Sequence, residues 1–303
     1  MTLKPLRRRG LLLLLLAFPT PQARALSSGA EFLLEEPVAR SAALGGACAA
    51  QSGSLDSLRY NPAGLAGLRS LNLGLGHDSA AGDWSEEWAG LAYPLENATL
   101  AVEALVSTLQ PFALYDATGA AVGTASASNQ NFGLGLARAL RSWMSIGADA
   151  RYFRSQLYTF SNQGYAFDLG ARLGGPGWPL ALGVAVQNFG AESAYLAVAD
   201  PLPACLRAGA EADWQLDQDL RLHPSADLLM FQDPQRPMEL RGGLEATMFQ
   251  NAKIRVGLQK AGDLQTFSAG LGVVWDNFGL DYAYLPDQGL GTTQMITLSM
   301  ASR

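Results

Sequence analysis

The chain has 303 residues, only 16% of them charged, with a mean hydropathy of +0.08, 33 glycines and two cysteines. So few charges exclude a disordered tail protein, and two cysteines exclude a disulfide-held scaffold. Residues 1–25 hold five of the 21 basic residues and none of the 27 acids; the remainder has 16 against 27, a net charge of −11. That sign argues against nucleic acid as a partner.

Residues 1–25 have the form of a cleavable export signal. Lys4, Arg7, Arg8 and Arg9 precede the apolar run Leu11–Phe18, Pro19 breaks it, and Ala23-Arg24-Ala25 supplies small residues for cleavage. The run is too short to span a bilayer as a helix. After cleavage only Lys253 and Lys260 remain as lysines. An ordinary water-exposed surface carries more of them.

Residues 26–69 are rich in Ala, Gly and Ser, lack alternation, and end in Tyr60-Asn61-Pro62-Ala63-Gly64-Leu65. Asn-Pro starts a turn, and Pro62 suits the first position of a short helix. The block predicts short helical pieces without a long strand. Asn61, Pro62, Ala63, Gly64 and Arg40 have two readings. They form either a turn into the first strand or part of a plug whose position decides whether a lumen is open.

From Leu71 onward the hydrophobic period becomes two, as in Phe267, Ala269, Leu271, Val273 and Trp275 against Ser268, Gly270, Gly272 and Val274. Such alternation predicts strands with one apolar and one polar or small face. Fourteen are expected, at 70–77, 86–95, 98–109, 128–140, 143–155, 163–173, 178–190, 203–216, 219–230, 238–249, 252–260, 265–275, 278–286 and 291–301. Tight connections, such as Glu96-Asn97 and Asp276-Asn277, alternate with longer ones at 78–85, 110–127, 156–162, 191–202, 231–237, 261–264 and 287–290. Tight periplasmic turns and longer external loops are the pattern of an outer-membrane barrel. Lipid satisfies no backbone N–H or C=O group, so a spanning sheet must close on itself. The fold expected is all-β, a closed antiparallel transmembrane barrel over 70–303 with residues 26–69 as plug, in the cell outer membrane.

The predicted lumen face carries Glu103, Asp149, Arg151, Asp168, Arg172, Arg207, Glu211, Asp213, Arg221, Asp227, Glu239, Arg241, Glu245, Arg255 and Asp281. Interspersed signs suggest a mutually paired interior instead of a single-sign selectivity ring. Trp84, Trp88, Trp143, Trp178, Trp214 and Trp275 fall near predicted strand ends, where interfacial aromatic girdles belong. His77 and His223 have no metal-ligand spacing, and no nucleophile elbow, Walker loop or CxxC occurs. No catalytic residue, metal or cofactor is expected. His77-Asp78-Ser79 reads as a solvated outer loop. Cys48 and Cys205 would meet an oxidising compartment, without any sign in the sequence that they are close.

Several blocks resemble the PorV/PorQ family of outer-membrane proteins, within the wider FadL-like barrels. These are Phe32-Leu33-Leu34, Pro37 through Ala47, Tyr60-Asn61-Pro62-Ala63-Gly64-Leu65, Phe167-Asp168-Leu169-Gly170-Ala171, Asn188-Phe189-Gly190, and Leu202-Pro203 with Arg207-Ala208-Gly209. Ser268 through Val273 and Leu280-Asp281-Tyr282-Ala283-Tyr284 continue the series. The resemblance implies a fourteen-stranded barrel with an internal N-terminal plug. It also implies a non-enzymatic accessory of protein secretion or surface attachment, of the type IX kind, with a translocon and secreted cargo as partners besides membrane lipid. The alternative is a FadL-like channel passing hydrophobic small molecules, which the small, Gly/Ala-rich lumen face favours.

Overall fold

The computed structural model describes residues 29–80, 82–175, 177–287 and 291–302. The expected signal segment, 1–25, lies outside them. Fifteen strand segments follow four short helical pieces. They are β1 (Asn72–Ala80), β2 (Trp84–Pro94), β3 (Thr99–Tyr115), β4 (Ala121–Arg141), β5 (Met144–Leu157), β6 (Phe160–Leu173), β7 (Leu180–Glu192), β8 (Cys205–Ala212), β9 (Trp214–Gln215), β10 (Leu220–Phe231), β11 (Glu239–Met248), β12 (Ala252–Ala261), β13 (Leu264–Trp275), β14 (Phe278–Asp287) and β15 (Gly291–Ala301). The two-residue β9 continues β8 past a break at Asp213, and both pair with β10, so the barrel has fourteen strands. Each strand pairs antiparallel with its sequence neighbour, and β15 returns to β1 in the register Asn72↔Ala301 through Ser79↔Gln294. That pairing leaves no open edge, as hydrocarbon surroundings require. No helix among the described residues is long and apolar enough to cross a membrane.

The large apolar side chains are inside out relative to a water-soluble protein. Leu134, Leu136, Leu169, Leu182, Val256, Leu271, Val273, Leu280, Ile296 and Leu298 are all exposed on strand positions that alternate with buried ones. This is the lipid-facing band of a membrane barrel.

Several expected outer loops are strand. Residues 110–115 and 121–127 extend β3 and β4 into a hairpin exposed on both faces over 110–113 and 121–124. Pairing passes through two register shifts, one between Leu109 and Phe112 that spans Pro111 and its missing N–H, and one between Leu114 and Tyr115. At the tip the Asp116 carboxylate accepts from Thr118 N (2.8 Å), Thr118 Oγ1 (2.6 Å) and Ala120 N (3.0 Å). Beyond the bilayer both faces are wet, so the period-two signal fades while the ladder continues. Likewise 158–159 and 262–263 are tight turns, and among the described residues 193–204 and 232–238 are the outer loops of some length. Trp88 is a second correction. It points inward, 4% exposed, because it shares the face of Glu86, Gly90 and Ala92. Trp143, Trp178, Trp214 and Trp275 are exposed near strand ends as expected.

Candidate functional site

The helical pieces Glu31–Leu34, Ala39–Ala43, Ser57–Tyr60 and Pro62–Gly67 lie where the strands enclose them, and residues 37–50 and 55–65 are almost wholly buried. Their hydrogen-bond partners lie all round the sheet. Ala39 N donates to Thr297 Oγ1 on β15 (2.9 Å), and Cys48 N and Ala49 N both donate to Asp227 Oδ2 on β10 (2.9 Å each). Ala63 O accepts from Ser145 Oγ on β5 (2.9 Å), Ala50 O from Arg172 Nε on β6 (2.6 Å), and Arg59 O from Gln187 Nε2 on β7 (2.7 Å). Only a segment inside the lumen reaches all of these strands.

Asn61 caps the last helical piece. Its Oδ1 accepts from Ala63 N (3.2 Å), while Nδ2 donates to Ala49 O (2.7 Å) and to Ala171 O on β6 (3.0 Å). One carboxamide thus starts this turn and ties it to Ala49 of the inner segment and to the wall. Pro62 opens this helix at its first position. Pro62, Ala63 and Gly64 are buried, and a Cβ on Gly64 would meet Ser57 Cβ at 2.8 Å. After Ala39–Ala43 the chain reverses through Gly45 (φ +62°) and Gly46 (φ +66°), a conformation that glycine adopts without steric cost.

The wall of β5 to β14 is ionic. Arg151 reaches Asp149 (3.1 Å) and Asp168 (2.5 Å) with Asn188 Oδ1 at 2.7 Å, and Asp168 Oδ1 accepts from Asn188 N (2.7 Å). Arg255 bridges Glu245 (2.7 Å) and Asp281 (2.6 Å), and Arg40 of the inner segment joins the same Glu245 at 3.4 Å. Arg207 lies 3.8 Å from Asp227 and 5.0 Å from the centroid of the Tyr60 ring. Arg241 holds Glu239 (3.0 Å) and pairs with Glu36 of the inner segment. Burial pushes the Glu36 carboxyl up, against the pull of Arg241. Burial works against the Arg40 charge, but Glu245 and Asp56 outweigh it and keep the guanidinium protonated. Glu211 on β8 is half-buried. Asp213 and Arg221 pair with each other, largely exposed, at the short-turn end.

The wall of β1 to β4 is mostly apolar. Leu105, Trp88, Ala92, Ala101 and Ala137 pack against Val38, Leu55, Leu58, Leu65 and Leu68 of the inner segment. Buried polar side chains interrupt this wall at Asp78, Glu86, Thr99, Glu103, Ser107 and Asn131. Trp88 Nε1 donates to Glu103 Oε2 (3.1 Å), and Glu103 Oε1 pairs with Arg59 at 2.9 Å. Above them Ser107 Oγ donates to Glu86 Oε1 (2.8 Å) and to Glu35 Oε2 (3.3 Å).

His77-Asp78-Ser79 belongs to β1 and not to a loop, and alternation separates its members. His77 faces outward with Nδ1 2.7 Å from Glu87 Oε1, while Asp78 faces inward opposite Glu86. Cys48 and Cys205 are free and buried. Among the described residues no group of three His, Cys, Asp or Glu is placed to hold a metal ion.

The small inward face has a use that sequence reasoning missed. A Cβ on Gly135, Gly147, Gly170, Gly183, Gly243, Gly257 or Gly270 would run into the inner segment, for example into Leu44 O at 2.7 Å from Gly243. These strand glycines make room for that segment and do not line an open pore. Their one signal was recurrence on the polar face of successive strands.

No protein-family model matches the chain, and no curated protein matches it in sequence. Solved structures match its fold. A protein described as a monoaromatic hydrocarbon channel, CymD, superposes with a TM-score of 0.66 at 13% identity, over 87% of this chain and 97% of that one. The toluene transporter TodX of Pseudomonas putida gives 0.64 at 11%, over 87% and 98%. A FadL homologue of Pseudomonas aeruginosa gives 0.52 at 11%, over 85% and 95%. The protein therefore has the fold of FadL-like barrels, a closed antiparallel β-barrel of fourteen strands.

Proposed function

We propose that the protein is a channel for hydrophobic small molecules, closed in this structure by residues 29–69 acting as a plug. The observation that carries this reading is the division of the lumen. Charges gather along β5 to β14, while an apolar seam runs from Leu105 past Trp88 and Leu58 to Leu68. Leu68 also lines a cleft of about 450 Å³ at the short-turn end, between Pro94, Leu95 and Ala137, which is the periplasmic end of such a barrel. A shift of the plug away from β2–β4 would leave an apolar path there, and an apolar solute is favoured against apolar walls because its surface leaves water. The described functions of CymD and TodX agree with this chemistry. The secretion role implied by the PorV/PorQ resemblance rests on that resemblance alone.

The test is uptake of radiolabelled toluene by cells with and without the protein. Faster initial uptake with the protein is expected, and Leu58→Glu, which puts a charge in the seam, should abolish the difference. Equal uptake with and without the protein would sink the proposal.

A further inference from the structure

At the periplasmic mouth the chain's scarce positive charge collects. A cleft of about 260 Å³ opens between the end of the inner segment, the β4–β5 turn and the start of the β6–β7 turn. Arg69, Arg141 and Arg172 line it together with Ser142, and no carboxylate does. Arg69 and Arg141 are exposed, and among the described residues neither has a carboxylate partner. Arg172 is held in place, since its Nε donates to Ala50 O (2.6 Å) and its Nη1 to Gly174 O (3.2 Å). Two of the three guanidinium groups are thus uncompensated around one small cleft, where an anion would relieve their mutual repulsion. Guanidinium matches phosphate oxygens with paired N–H donors.

A second observation places the cleft relative to the bilayer. Trp143 and Trp178, on the same two turns, stack with ring centroids 6.4 Å apart and planes within 3°, and both are exposed. Exposed tryptophans at strand ends sit at the level of lipid headgroups. Arg138, exposed two strand positions before Leu140, adds a further cation in the neighbouring cleft at the same end. The cleft thus opens at headgroup height on the periplasmic side.

We infer that this cleft binds the phosphate of an anionic phospholipid headgroup from the periplasmic leaflet. The guanidinium groups take the phosphate, and the stacked indoles flank the glycerol and upper acyl chains. The site lies on the mouth of the barrel, apart from the apolar seam, so it stands whether or not the channel reading does.

Native mass spectrometry of the delipidated, full-length barrel tests it. The probes are phosphatidylglycerol, zwitterionic phosphatidylethanolamine and inorganic phosphate. One phosphatidylglycerol should be retained in preference to phosphatidylethanolamine. R69Q/R141Q should weaken its retention about thirtyfold, at about fivefold for each arginine near a charged surface. R69K/R141K should keep most of it, and R154Q, which removes one positive charge near the outer end of β5, should change nothing. Heat-dependent gel mobility shows that each variant is a folded barrel. Equal retention by R69Q/R141Q and the unaltered protein would overturn the inference. So would an adduct with inorganic phosphate and none with phosphatidylglycerol, which would assign the cleft to the free anion.

Discussion

Arg151 shows how much rests on single lumen side chains. It is fully buried and compensates Asp149 and Asp168, which lie directly opposite each other on β5 and β6. Two carboxylates facing one another across a ladder repel, and the arginine between them cancels that. Arg151→Met should therefore cost about 3–5 kcal/mol, the range for orphaning a buried charge, and Arg151→Met with Asp168→Asn clearly less. Urea titration of heat-dependent gel mobility measures both, and equal losses would mean that the pair does not act as a unit. Glu35 gives a pH dependence. Burial, then Glu86 close by, raise its carboxyl well above the ordinary 4.5, against Arg59 and Ser107, while Asp78 faces the same Glu86. A carboxyl raised in the folded state binds more protons there than when released, so the seating of the plug weakens as pH climbs above 4.5. Protease cleavage within residues 29–69 should rise with pH over that range and become flat in Glu35→Gln; a slope unchanged in the variant would assign the effect elsewhere.

At the scale of the element, strands and their faces were legible because lipid on one side and a filled lumen on the other impose a strict period of two. Strand Phe278–Asp287 could be read from Phe278, Leu280, Tyr282 and Tyr284 alone. The outer ends were not legible, since past the bilayer the β3–β4 hairpin meets water on both faces. The inward glycines were visible but their reason was not. Gly183 is small because Ala49 O lies against it, across 134 residues of chain that no local pattern spans. The same holds for Asn61, legible as a turn residue but not as the tie to Ala171. Gly183→Leu tests the element-level claim. A leucine fits the ladder register between Arg172 and Gly209 but occupies the place of the plug backbone. We expect a barrel of unchanged gel mobility whose residues 29–69 are cut faster by protease and whose single-channel conductance rises. A variant that fails to form a barrel would show instead that the strand needs the glycine for itself.

For the whole molecule, two sets of contacts with different origins decide what moves. The barrel closes through backbone ladders, including the unbroken register between β1 and β15, and none of those bonds involves residues 29–69. The plug is held by side chains: Arg59 to Glu103, Arg40 to Glu245, Glu36 to Arg241, the Asn61 carboxamide, and the apolar seam. Breaking a ladder in lipid leaves backbone groups without partners, whereas freeing the plug lets water take over its polar groups. Release of the plug should therefore precede barrel unfolding. In a urea titration, protease cleavage within 29–69 should begin at a concentration where the heat-resistant gel species is intact, and Arg40→Gln with Arg59→Gln should move that onset lower without moving the barrel midpoint. Each substitution removes the cationic half of a plug–wall pair, Glu103 retains its bond from Trp88, and Glu245 retains Arg255. The same double variant should conduct more than the unaltered protein. Coincident transitions for cleavage and gel mobility would mean that plug and barrel form one cooperative unit, and a channel gated by plug displacement would then lack its moving part.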